Sequence, residues 1–143
     1  MTEPDKKDKI CLIDSNIWLY AFIETQNAVK TGIAKSVIQN KNISITVSTQ
    51  IINEVCVNLI RKANFSEEKI RELIENFHNK YDVIGIDREF LLKSSEMREQ
   101  HNFSFWDSLI FVSALYVDAE ILYSEDMQDG FAIEKTRIVN PFK

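Results

Sequence analysis

The chain has 143 residues, 45% of them hydrophobic, and a formal net charge of −5. That composition fits one folded domain and excludes a disordered tail or a broadly basic nucleic-acid coat. It does not exclude a nuclease, because a site built of carboxylates contributes negative charges itself and a bound cation offsets them locally.

Residues 1–8 are polar and charged, with no apolar core of a secretory signal after them, and are expected to be a flexible segment ahead of one domain over 9–143. Residues 9–13 are a short apolar run, predicted as a first strand ending in Asp14-Ser15-Asn16. Asn16 is expected to cap a helix over 17–23, with a second helix over 28–39. Residues 43–47 alternate β-branched side chains and predict a second strand. Ser48 or Thr49 then caps a helix to about residue 63, and Ser66 with Glu67 and Glu68 opens another to about residue 80. A third strand is predicted over 82–86, and Asp87 caps a helix over 88–101. Ser104 or Phe105 begins a nearly all-apolar helix to about residue 117, with strands following at 121–124 and 137–139.

Strands that alternate with helices predict an α/β fold, a mainly parallel central sheet flanked by helices. Ligands bind such sheets at the carboxyl ends of the strands, near the switch point of strand order. No apolar run is long enough to cross a bilayer; even residues 109–117 are broken by Ser113. Cys11 and Cys56 sit in apolar surroundings and read as buried, reduced thiols, so a cytoplasmic protein is expected.

Four acids sit where such a sheet places its ligands. Asp14 follows the first strand, where it reads also as a turn residue. Asp126 follows the fourth, in Ser124-Glu125-Asp126-Met127-Gln128-Asp129-Gly130, and Glu125 or Asp129 competes with it for an inward position. Asp107 lies in the first turn of the apolar helix, where it either complements the dipole or faces costly desolvation beside Phe105 and Trp106. Glu54 stands at the edge of a buried face marked by Ile51, Ile52, Val55 and Leu59; its ordinary reading is an exposed acid paired with Arg61. Together the four would meet at one rim. Clustered carboxylates raise one another's pKa unless a cation neutralises them, and an oxygen-rich, histidine-poor set suits Mg²⁺ or Mn²⁺. His78 and His101 have no zinc-ligand spacing, and neither a Gly-x-Ser-x-Gly elbow nor a Walker-type loop is present.

At these residues the chain resembles the PIN-domain family, and within it the VapC-type toxins of toxin–antitoxin pairs. The resemblance is carried by Leu12-Ile13-Asp14-Ser15-Asn16, by the stretch from Ser48 to Val55, by Phe105-Trp106-Asp107-Ser108, by Ser124-Glu125-Asp126 and by the closing Asn140-Pro141-Phe142. It implies a three-layer PIN-like domain whose acidic quartet is Asp14, Glu54, Asp107 and Asp126. Asn16 would take the place of the small polar residue that orients the first Asp, and Ser124 that of the hydroxyl residue before the last. It further implies metal-dependent hydrolysis of RNA phosphodiester bonds, with Asp14 and Asp107 holding the principal Mg²⁺ or Mn²⁺ and Glu54 or Asp126 sharing a second.

The resemblance also implies a homodimer and a cognate antitoxin. The helix over 17–23 is apolar on nearly every side, which fits either a partner surface or burial within the domain. An acidic cleft would also offer an antitoxin arginine an obvious target. The alternatives are an RNA-maturation nuclease and a catalytically silent PIN-like binding module. A phosphoacceptor receiver wants adjacent acids after the first strand and a Lys after a late one; a haloacid-dehalogenase-like phosphatase wants an Asp where Asn16 stands. The sequence offers neither.

Overall fold

The computed structural model describes residues 9–143; the segment expected to be flexible, 1–8, lies outside the described residues. In chain order the elements are β1 (Lys9–Ile13), α1 (Ser15–Phe22), α2 (Ala28–Ile38), β2 (Ile43–Ser48), α3 (Thr49–Ala63), α4 (Glu67–Lys80), β3 (Asp82–Ile84), α5 (Arg88–Gln100), α6 (Phe105–Tyr116), β4 (Ile121–Tyr123), β5 (Ala132–Ile133) and β6 (Thr136–Val139). The strands form one sheet in the order β3-β2-β1-β4-β6-β5, parallel throughout except for β5 against β6. This is the mainly parallel α/β sheet that the alternation predicts.

Strand order reverses between β1 and β4. Successive crossovers from β1 to β2 and from β2 to β3 move one way across the sheet, and the crossover from β3 to β4 returns past β1. Right-handed crossovers therefore put α1 to α4 on one face and α5 with α6 on the other. Covered on both faces, β1 runs through Cys11, Leu12 and Ile13 with no more than 1% exposure, as a central parallel strand requires. The ladders run one residue past the ends of β1 and β4: the Asp14 amide donates to the Tyr123 carbonyl of β4 at 2.9 Å, and the Ser124 amide to the Val139 carbonyl of β6 at 3.0 Å. Asp14 and Ser124 thus emerge side by side at the switch point.

Several boundaries differ from expectation. Asp14, not Asn16, caps the first helix, because its backbone is extended (φ −67°, ψ 158°) and its carboxylate accepts from the Ser15 amide. The helix consequently begins at Ser15. The last ladder also holds the two-residue β5, too short to leave a periodic trace in sequence. The apolar excess of residues 17–23 is mostly absorbed within the domain: Ile17, Trp18, Leu19 and Ala21 are buried, and only Phe22 is exposed. Helix α6 departs in the opposite sense. Its body from Ser108 to Ala114 is buried, but Phe105 and Trp106 in its first turn are 54% and 61% exposed.

Trp18 ties α1 to the sheet and to α4. Its indole N–H donates to the Ile13 carbonyl at 3.0 Å, and its ring meets Phe77 and Tyr81 edge-on at 5.0 and 5.4 Å. Trp18→Ala should cost roughly 3–5 kcal/mol in urea unfolding followed by circular dichroism. Trp18→Phe should cost less, since it keeps a ring and loses the bond to Ile13 and part of the indole's volume.

Candidate active site

The carboxyl ends of β1 and β4 open onto a cleft of about 520 Å³, lined by Asp14, Glu54, Asp107 and Asp126 together with Ser15, Asn16, Gln50, Asn58, Trp106 and Ile110. Four different elements deliver the four acids. Asp14 ends β1, Glu54 rides on α3, Asp107 sits in the first turn of α6, and Asp126 follows β4. Among the described residues, no Lys, Arg or His lines the cleft.

Each acid is held differently. Asp14 is only 6% exposed; its Oδ1 accepts from the Ser15 amide at 2.7 Å and its Oδ2 from the Ser124 hydroxyl at 2.9 Å. Burial pushes its pKa up to about 6, partly opposed by those two bonds and reinforced by the charges of Glu54 and Asp107. Glu54 accepts from the Ser15 hydroxyl and from Gln50 Nε2, both at 2.9 Å. It makes no ion pair with Arg61, so the ordinary reading of an exposed surface pair does not describe it. The Asp107 amide donates to the Ser104 hydroxyl at 3.2 Å, while its carboxylate makes no hydrogen bond or ion pair to the described residues. Its neighbours Phe105 and Trp106 project outward, so it is half-buried and not sealed among aromatics. Asp126 is exposed and accepts from Asn16 Nδ2.

Asn16 therefore engages Asp126, not the first Asp; the orienting hydroxyl on Asp14 comes from Ser124. Of the crowded acids after β4, Glu125 turns away to Lys30 and the Tyr20 hydroxyl, and Asp129 accepts from the Asn140 amide at 2.8 Å. Sequence reasoning missed Ser15 and Gln50 as supports of Glu54. Gln50 was findable, since it stands four residues before Glu54 on the same helix face. Ser15 bridges elements 39 residues apart in sequence, and nothing local announces it.

The donor set suits a hard divalent cation. Asp14 is a buried carboxylate without a cationic partner among the described residues, Asp107 is unpaired there, and Gln50 Oε1 is buried with no hydrogen-bond donor. Among the described residues, no three Asp, Glu, His or Cys side chains cluster tightly enough to enclose an ion alone. A Mg²⁺ ion here would therefore be held by one or two carboxylates together with waters and substrate phosphate. No thiol competes as a nucleophile: Cys11 and Cys56 are free and buried, and burial pushes the Cys11 pKa to about 11.

The sequence matches the PIN domain family over residues 11–132. No curated protein sequence matches it. Among solved structures it is similar to a toxin–antitoxin complex from Klebsiella pneumoniae (20% identity, TM-score 0.66, 93% of this chain and 98% of that one). It is also similar to VapC20 of Mycobacterium tuberculosis, a sarcin–ricin-loop-cleaving toxin (16%, 0.65, 78% and 86%). A third is VapBC2 of Rickettsia felis bound to a DNA fragment from its promoter (16%, 0.60, 90% and 96%). At these identities the likeness is one of fold.

Asp14 also sets a pH dependence. Its ordinary pKa is 3.8 and its folded value about 6, so the folded chain keeps this proton to higher pH. Well below pH 4 both states are protonated and the buried group costs nothing; as pH rises from about 4 to 6 the unfolded chain ionises while the folded one keeps its proton, and the fold loses up to roughly 3 kcal/mol. In EDTA, Asp14→Asn should come close to the parent chain in urea unfolding near pH 4 and exceed it at pH 8. A constant difference across that range would mean that Asp14 is not perturbed.

Proposed function

The chain belongs to the PIN domain family, and from that premise we propose that it is a metal-dependent endoribonuclease, the toxin of a toxin–antitoxin pair. One observation carries the reading: the carboxylates of Asp14, Glu54, Asp107 and Asp126 line one cleft in which, among the described residues, no side chain is cationic. Left without counter-charge, such a cluster costs free energy, so its retention favours a catalytic role over a silent binding module.

Asp14 and Asp107 would hold a Mg²⁺ or Mn²⁺ ion, with Glu54 or Asp126 available for a second. When bound, the ion supplies an acidified water and positive charge facing the phosphate. The remaining work falls to the chain. Ser124 and the Ser15 amide fix the Asp14 carboxylate in one orientation at the start of α1. Asp107 occupies the start of α6, where the helix dipole favours negative charge. Glu54, steadied by Ser15 and Gln50, would accept a proton from the attacking water. Cleavage of phosphodiesters then needs no nucleophilic side chain.

The solved relatives support the biological half of the reading, since one is a toxin–antitoxin complex, another is VapBC2 bound to DNA from its promoter, and VapC20 is a sarcin–ricin-loop-cleaving toxin. For this chain we infer a loop or single-stranded RNA substrate, a homodimer, and a cognate antitoxin. The surface offers apolar positions for partners outside α1, on α3 (Val57, Ile60) and α5 (Leu91, Leu92). Among the described residues no helix is long and apolar enough to cross a membrane.

Purified protein should cleave RNA in Mg²⁺ or Mn²⁺ and stop in EDTA. Asp14→Ala and Asp107→Ala should each lower kcat on the order of a thousandfold or more while the chain stays folded. Full activity in both variants at saturating metal would end the proposal. Sedimentation velocity should show a dimer at micromolar concentration, and a protein encoded beside it should inhibit cleavage. A monomer at high micromolar concentration would remove the dimer, and failure of every neighbouring product to bind would remove the antitoxin.

A further inference from the structure

Cationic side chains supply much of the affinity in nucleic-acid binding, yet among the described residues none lines this cleft. Beyond the ion that the acids would hold, the substrate gains from a second kind of contact there. Beside Asp107, on the cleft wall, stands Trp106, a large apolar side chain 61% exposed to solvent. Its indole N–H makes no hydrogen bond to the described residues, in contrast to Trp18, whose N–H is fixed to Ile13 in the core.

The neighbouring aromatic shows that the arrangement is built. The Arg98 guanidinium lies over the Phe105 ring at 4.3 Å and donates to the Ser108 hydroxyl at 2.8 Å, which pins Phe105 against the helix start. Trp106 meets Phe105 edge-on at 5.2 Å, with the planes 74° apart. One ring is therefore occupied by a cation and serves as a brace; the other stands free at the mouth of the acid cleft. The indole leaves its flat face to solvent beside the acids, and such a face is the surface on which an unpaired base stacks.

We propose that Trp106 is the stacking platform for an unpaired nucleobase of the RNA, next to the phosphate that lies over the acids. The inference rests on the ribonuclease reading and sharpens it: the substrate must present an unstacked base at the cut, as a loop or single strand does and a continuous duplex does not. Trp106 is a binding and specificity residue in this account; proton transfer and hydrolysis remain with the acids.

The test uses the whole protein in Mg²⁺ with a 14-nucleotide mixed-sequence RNA, offered as a single strand or as a perfect duplex. Because Trp18 is sealed in the core, a change in indole emission reports Trp106. The single strand should quench it, the duplex should not, and Trp106→Phe should lose the signal. In cleavage assays Trp106→Leu, which keeps apolar bulk without a ring, should raise KM roughly tenfold to a hundredfold while kcat moves little; Trp106→Phe should stay close to the parent chain. Unchanged emission on adding single strand, or an unchanged KM in Trp106→Leu, overturns the proposal. So does an emission change on concentrating the protein alone, which would mark a second copy on that face. Quenching by the single strand in a protein that cleaves nothing would keep the stacking site and remove the nuclease. Cleavage indifferent to Trp106 would do the reverse.

Discussion

The carboxylate of Asp14 is sealed at the carboxyl end of the central strand with two hydrogen-bond donors and, among the described residues, no cationic partner. A buried, unneutralised carboxylate is among the more expensive groups a fold can hold, and its neighbours Glu54 and Asp107 add to the expense. Much of the surrounding architecture is arranged around that group. The β1–β4 pairing brings the Ser124 hydroxyl to it. The same Ser124 oxygen accepts from the Met127 amide at 3.2 Å, which ties down the turn that carries Asp126. Ser15 gives its amide to Asp14 and its hydroxyl to Glu54, so one residue couples the first two acids.

Helix starts supply part of the counter-potential. Asp14 caps α1 and Asp107 lies in the first turn of α6, so two of the four acids sit at the positive ends of helices. Glu54 lies within α3 and has no such help, which is consistent with its two side-chain donors, Ser15 and Gln50. What helix dipoles and hydroxyls leave uncompensated is the part of the charge that an exogenous cation would meet.

The sheet was legible because a parallel strand covered on both faces must be apolar along its length, and Ile10 to Ile13 and Ile121 to Tyr123 are. The helix caps at Ser48, Ser66, Asp87 and Ser104 were legible for an equally local reason, since each side chain accepts an amide three residues on. Misreadings arose where a local rule met a non-local partner. Asn16 has the composition of a cap, but its amide is drawn to Asp126, 110 residues away, and Asp14 takes the cap instead. Phe105 and Trp106 were counted with the apolar helix they begin. Apolar character does not guarantee burial, and the first turn of α6 stands at the cleft mouth. The Ser15 link and the sides taken by Glu125 and Asp129 depend on tertiary neighbours that no periodicity encodes.

The central claim is that the acids around Asp14 form a divalent-ion site, and direct ion binding tests it without reference to any substrate. Mn²⁺ should be titrated into metal-free protein at pH 7 and followed by calorimetry, with Asp14→Asn, Asp107→Asn and the outlying Asp82→Asn compared. The parent chain should show a saturable site, weakened at least about tenfold by either cleft substitution and unaffected by Asp82→Asn. Equal affinity in all four proteins would contradict the claim.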